Sequence, residues 1–168
     1  MESERITINI KKEAEKILED CEYSAKGHLE NAKHWRYCNY MLMIASIVSV
    51  CAGLVFVYGD LDKFWIGVLA ISSGIATMLL IFLNPQEKYL SHYNSGNRFL
   101  ALRNKTRIFL DIESRTMNIE IQMQTIKKLD SKRSSLNKTS LPISERAYKN
   151  AKKQIEIDKN TQYKVDKE

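Results

Sequence analysis

The sequence predicts an all-α membrane protein: a two-span antiparallel transmembrane hairpin extended by long cytoplasmic helices, with a short C-terminal helix. Three observations lead there. No charged residue lies between Tyr40 and Tyr58, or between Phe64 and Leu83, although 27% of the chain is Asp, Glu, Lys or Arg. Each uncharged run is about 20 residues long, which crosses about 30 Å of hydrocarbon at 1.5 Å per residue. Only Gly59, Asp60, Leu61, Asp62 and Lys63 join the two runs, so the helices must be antiparallel and packed together.

Residues 1–39 read as an N-terminal cytoplasmic amphipathic helix. Ile10, Ala14, Leu18, Cys21, Ala25, His28, Ala32, Trp35 and Asn39 recur at steps of three and four, and only Gly27 interrupts, so the helix can run on into the membrane. The first apolar run begins only near residue 40, after this charged segment, which does not suit a secretory signal.

Residues 40–83 are the hairpin, with spans 40–58 and 64–83 and a loop at 59–63. Leu42, Ile44, Ile47, Val48, Val50, Leu54, Val55, Phe56 and Val57 fill the first span. At about −0.3 to −0.6 kcal/mol per such residue, insertion is favoured by a few kcal/mol. Buried helices of soluble proteins rarely lack charge all round. Tyr40, Tyr58, Phe64 and Trp65 stand where aromatic rings favour the headgroup level.

Lys26, Lys33 and Arg36 flank the first span, and Lys88, Arg98 and Arg103 follow the second, against a single lysine in the loop. Basic residues are retained inside, so both termini are expected in the cytoplasm. The Asn-Lys-Thr triplets at Asn104 and Asn137 then fall on the cytoplasmic side and read as chance matches to the glycosylation pattern.

Residues 84–130 read as one cytoplasmic helical segment, begun or broken at Pro85 and continuing through Tyr89, Tyr93, Gly96, Leu100 and Leu110. The alternation from Ile119 to Met123 would also suit a strand, but no other segment offers a partner for one. Residues 131–143, rich in Ser, Lys, Asn and Thr, read as a loop. Residues 144–158 form the C-terminal helix, capped by Ser144, with Ile143 and Tyr148 placed as a hydrophobic staple and Ala147, Ala151 and Ile155 as its buried stripe. Residues 159–168 are a frayed tail.

Charge is unevenly shared. Residues 84–168 hold 18 Lys and Arg against 10 Asp and Glu, a net of +8, whereas residues 1–83 carry a net of −2. Such a basic half suits an anionic leaflet, at about 1 kcal/mol per well-placed cation. Nucleic acid is not expected as a partner, since no recognised nucleic-acid fold or aromatic platform accompanies the charge.

Neither catalysis nor a metal or other cofactor is expected. Cys21, Cys38 and Cys51 are odd in number and at no metal-binding spacing. Glu30, His34 and Cys38 stack at steps of four, but no further ligand cluster accompanies them, and no phosphate loop, metalloprotease helix or nucleophile elbow occurs.

The spans say more. Ala45, Ser49 and Gly53 in the first, and Gly67, Ala70, Gly74 and Thr77 in the second, are small residues at helical spacing, which let helices approach closely in lipid. In a ring of hairpins Ser46, Ser49, Ser72, Ser73 or Thr77 would line an aqueous path. No span contains an ionisable Asp, Glu, Lys, Arg or His, which argues against a proton relay, a pump or a charged selectivity ring. An unselective pore, a membrane-disrupting homo-oligomer, or a non-pore anchor or scaffold whose cytoplasmic helices bind a partner protein remain.

A helix with Lys26, Gly27, His28 and Ala32, Asn39 at the membrane edge, a span with Gly53, and a second span ending in FLNPQEKYLSHYNSGNRFLALRNKTRIFL resembles the SLATT family. The positions that resemble the family pattern are His28, Asn39, Pro85, Glu87, His92, Gly96, Phe99, Leu102 and Arg103, with Pro142 and Tyr148 further on; together they cover roughly residues 20 to 155. The resemblance implies a two-span effector of bacterial antiphage defence, associated with nucleotide-second-messenger and nucleotide-sensor systems. It would oligomerise or open in the inner membrane when a partner signals infection, causing cell death or growth arrest. The partners so implied are a nucleotide synthase, a sensor protein or a reverse transcriptase from the same operon, with a nucleotide as a conceivable ligand. His28 lies twelve residues before Tyr40 and His92 nine after Leu83, so at 1.5 Å per residue both would sit about 14 to 18 Å below the bilayer. His28, Asn39, His92 and Gly96 are therefore the expected switch or coupling residues, with Gly96 allowing close helix approach.

Overall fold

The computed structural model of the chain describes residues 2–59 and 62–157. Among them it is built of helices with no strand: α1 (Glu2–Tyr58), α2 (Lys63–Leu83), α3 (Pro85–Ile108), a π-helical turn (Phe109–Glu113), α4 (Ser114–Thr116), α5 (Ile119–Thr139) and α6 (Glu145–Glu156). Two helices are long and apolar enough to cross a membrane. Part of the expected loop at 59–63 and the tail at 159–168 lie outside the described residues. The chain forms two compact units, one from residues up to Asn31 together with those from Ser91 onward, the other from Ala32–Leu90.

In the first unit the core joins Ile10, Ala14, Ile17, Cys21 and Ala25 of α1 to Phe99 and Leu102 of α3, Phe109 of the π turn, and Ile126 and Leu129 of α5. The steps of four and three along α1 put these residues on one face. Ile17, not Leu18, occupies the buried position between Ala14 and Cys21. Both residues satisfy the helical spacing, and the facing helices decide between them.

The segment 84–130 is not one helix. Ser95, Phe99, Leu102, Thr106 and Phe109 are buried at steps of four and three, but the next buried residue is Ser114, five further on. The π turn supplies the extra residue, bringing Ser114 to the core face in place of Glu113. The helix then stops at Met117, whose backbone is extended, and Asn118 caps α5 by accepting a hydrogen bond from the Ile121 N–H at 2.9 Å. Gln122 Nε2 donates to the carbonyls of Ser114 at 2.7 Å and Met117 at 2.9 Å, which satisfies acceptors that the break would orphan.

The expected loop at 131–143 is corrected as well. α5 continues to Thr139, leaving only Ser140 to Ser144 non-helical. The reason lies in two single residues within the polar stretch. Leu136, seven after Leu129, packs on the core, and Arg133 is held by Asp130 at 2.6 Å and by Asp20 of α1. Ser144 does cap α6, accepting from the Ala147 N–H at 3.3 Å. Ala147 and Ala151 are buried and Ile155 half-buried. Ile143 is set against Gly27, and Tyr148 against Tyr23.

The second unit contains the two uncharged runs. Leu42, Ser46, Ser49, Ala52, Gly53 and Phe56 are half-buried in the first. In the second, Ile66, Leu69, Ser73, Ala76, Leu80 and Leu83 are covered, at strictly alternating steps of three and four. That is the seam of a coiled-coil-like pair. Every other residue of 41–58 and 64–83 is exposed. Asp62 caps α2, accepting from the Phe64 N–H at 3.0 Å. Asn84 ends α2 in the left-handed region, at φ 41° and ψ 56°, where Asn is tolerated better than most residues. Pro85 then occupies the first position of α3, where its missing N–H costs nothing. The Asn84 amide donates to Glu87 Oε2 at 2.5 Å and its oxygen accepts from the Glu87 N–H at 3.4 Å, so the break is closed on both sides.

Candidate functional site

Two polar constellations stand out against the apolar packing, one in each unit. In the first unit, His28 of α1 and His92 of α3 are 2% and 3% exposed, and their Nδ1 atoms lie 2.9 Å apart. One Nδ1 must carry the proton that the other accepts. The ring of Phe99 lies nearly parallel to that of His28, with centroids 5.6 Å apart, and closes one face of the pair. Burial, and then the neighbouring His92, push His28 down to about 4; burial likewise lowers His92. Among the described residues no hydrogen bond or ion pair joins either ring to a carboxylate. The pair thus holds one shared proton between neutral rings and accepts at most one more without breaking their contact.

The approach of the helices at this pair depends on Gly96, one turn beyond His92. A Cβ there would stand 2.9 Å from Leu29 Cγ and Cδ2 and 3.3 Å from the Ala25 carbonyl oxygen. Three of the four expected switch residues therefore gather here: His28, His92 and Gly96. Nearby, the Ser144 hydroxyl donates to Asn31 Oδ1 at 2.6 Å, and Gln154 donates to Glu30 Oε1 at 2.9 Å, tying α6 to α1. Asn31 was not expected to be functional; nothing but its place between His28 and Trp35 on the helical face marks it.

In the second unit a ladder of hydroxyls runs along the seam. Ser46 and Thr77 share a hydrogen bond at 3.1 Å, Ser72 donates to Ser49 at 3.2 Å, and Ser73 donates to the Ser46 carbonyl at 3.4 Å. Thr77 and Ser72 also back-bond to the carbonyls of Ser73 and Leu69, both at 2.9 Å. Asn39, 9% exposed, donates to Gln86 Oε1 at 3.3 Å, and Lys88 Nζ stands 4.4 Å over the Trp35 ring. The partners descend along the second segment as they ascend along the first. Asn39 thus belongs to this constellation and not to the histidine pair.

The expected small-residue face behaves differently from its serines. Ala45, Gly67, Ala70 and Gly74 are exposed, Gly53 is half-buried, and a Cβ built at Gly53, Gly67 or Gly74 meets nothing within 4 Å. Within one chain these glycines do not mediate helix contact. Ala76, which was not singled out, is the most buried residue of α2 at 7% exposure. Hydroxyl pairing goes with the heptad edge because Ser72, Ser73 and Thr77 find their partners on the first apolar run there.

Glu30 accepts a hydrogen bond from Gln154, and His34 meets Trp35 edge-on at 5.9 Å. All three cysteines are free thiols, and burial, then Asp20, push Cys21 up to about 11, where it is unreactive. Among the described residues no group of three or more His, Cys, Asp and Glu could hold a metal ion. Compared with protein families, curated proteins and solved structures, the chain matches none.

Proposed function

We infer that this chain is a membrane effector whose two apolar helices cross a bacterial inner membrane as an antiparallel hairpin, with the helical body and both termini in the cytoplasm. The observation that carries this reading is the division of the apolar runs into a hydroxyl-bonded seam and an outer surface of large bare side chains. Ile71, Met78, Ile81 and Phe82 are 66% to 92% exposed, as are most of their neighbours to a lesser degree. Water would penalise that surface at about 25 cal/mol per Å², whereas lipid does not.

The open glycines extend the reading to assembly. Gly67 and Gly74 leave backbone accessible on a face that no other described residue covers, which is the surface a second hairpin can approach closely in lipid. The absence of intramembrane charge favours loss of barrier function over selective transport. The resemblance to SLATT proteins supplies the biological setting: an effector of antiphage defence, switched by a partner that signals infection, whose opening or oligomerisation arrests or kills the cell.

The test is dye release from liposomes containing the purified protein, paired with membrane potential in cells expressing it alone or with its neighbouring genes. Leakage and depolarisation under at least one partner condition are expected. Gly74→Leu should suppress both while leaving helix content unchanged, because among the described residues nothing lies within 4 Å of a Cβ built there. A protein that never leaks with any neighbouring partner is a scaffold, and leakage indifferent to Gly74→Leu removes the glycine face from the mechanism.

A further inference from the structure

The helical body contains a groove of about 380 Å³ between α3 and α5, in the range that small ligands occupy. Arg98 and Lys105 stand at its α3 side, and Lys132 at its α5 side, with the Ser135 hydroxyl beside it. Its apolar floor is Ala101, Leu102 and Leu136. The spacing explains the arrangement: 98, 101, 102 and 105 share one face of α3, and 132, 135 and 136 share one face of α5.

Three cations around one groove repel one another unless an anion joins them. No carboxylate lines the groove, and among the described residues none pairs with Arg98, Lys105 or Lys132. The contrast with their neighbours is direct. Arg103 meets Glu22 at 3.4 Å, and Arg133 meets both Asp130 and Asp20, so those three carboxylates are already engaged.

We propose that this groove binds an organic phosphate, with the phosphate between Arg98, Lys105 and Lys132, a hydrogen bond from Ser135, and the apolar body of the ligand on Ala101, Leu102 and Leu136. Arginine and lysine with a neighbouring hydroxyl are the donors that phosphate oxygens accept from most strongly, and an apolar floor selects a phosphate that carries an apolar or aromatic group over the inorganic ion. The same chemistry is offered by a soluble phosphorylated metabolite and by a phosphomonoester lipid headgroup. The site does not depend on what the apolar helices do.

The experiment uses full-length protein in a nonionic detergent and follows the fluorescence of trinitrophenyl-AMP. Saturable enhancement is expected. Displacement by AMP at lower concentration than by dihexanoyl phosphatidate assigns a soluble ligand, and the reverse order assigns a lipid headgroup; dihexanoyl phosphatidylcholine should not displace the probe. Lys105→Gln with Lys132→Gln should weaken binding at least tenfold. Lys11→Gln with Lys12→Gln, which removes the same charge from exposed positions of α1, should change it less than twofold. Both double variants are checked for helix content by circular dichroism. Absence of saturable binding, or equal losses in the two double variants, overturns the proposal.

Discussion

Acid should weaken the helical body through the histidine pair, and the size of the effect follows from its geometry. In the folded chain His28 and His92 are buried with Nδ1 atoms 2.9 Å apart, and His28 titrates at about 4, pushed down by burial and then by His92. In the unfolded chain an imidazole titrates near 6.5. Between about pH 6.5 and 4 the unfolded state therefore binds more protons, so the stabilisation is complete above that window and is lost as pH falls through it. For His28 alone the loss amounts to about 2 kcal/mol at pH 5 and about 3 kcal/mol at pH 4. His92, lowered by burial, acts in the same direction.

Thermal melts followed at 222 nm in a nonionic detergent, from neutral pH down to about pH 5, measure this. The comparison is His28→Asn with His92→Asn, a pair that cannot titrate. At about 2–4 °C per kcal/mol for a chain of this size, the unsubstituted protein should lose about 4–8 °C more than the double variant over that range. Equal losses, or a native protein that gains stability in acid, would refute the assignment of neutral rings to this contact.

Three further outcomes are expected by the same melts near neutral pH. Gly96→Val should cost about 1–3 kcal/mol, because its Cβ meets the Ala25 carbonyl as well as Leu29, whereas Gly27→Ala should cost less, since the atoms nearest its Cβ, Ile143 Cδ1 and Cγ2 at 3.0 Å, belong to a side chain and not to backbone. Gln122→Ala should cost about 1–3 kcal/mol by orphaning the carbonyls at the break before α5, with the loss read as reduced melting temperature at unchanged spectral shape. Asn84→Ala should cost about 1 kcal/mol at its left-handed backbone, and Asn84→Gly should recover part of it; equal effects of the two would mean the side-chain bonds to Glu87 matter more than φ.

The two apolar runs were legible because charge is either present or absent over 20 residues, and no tertiary detail alters that count. The N-terminal stripe was legible for a related reason: from Ile10 to Ala25 the apolar positions repeat without interruption, and only the choice between Ile17 and Leu18 needed the facing helices. The loop expected at 131–143 failed where composition misled. Ser, Lys, Asn and Thr are poor indicators of packing, and the contacts that hold residues 131–139 in helix come from single residues, Arg133 to Asp20 and Leu136 to the core. The break at Met117 was hidden by helical pattern on both sides. Asn118 with Gln122 four residues on is a local capping signal, yet it acquires meaning only once the carbonyls it serves are known to be free.

The same distinction separates the parts of the candidate site. His28 and His92 could be expected near each other from helix arithmetic, since a short turn fixes the register of two antiparallel helices and equal distances from it then coincide. The proton arrangement could not, because 2.9 Å between two Nδ1 atoms depends on Gly96 letting the backbones close to within reach. In the apolar unit the sequence offers two competing faces on α2, the small residues Gly67, Ala70, Gly74 and Thr77 and the heptad Ile66, Leu69, Ser73, Ala76 and Leu80. Spacing cannot rank them, since both recur at three and four. Hydrogen bonding can: Ser72, Ser73 and Thr77 reach partners only when the heptad edge faces α1, and that choice turns the glycines outward. The small-residue face that spacing marks thus divides, Thr77 being used within the chain through its hydroxyl while Gly67 and Gly74 are left open.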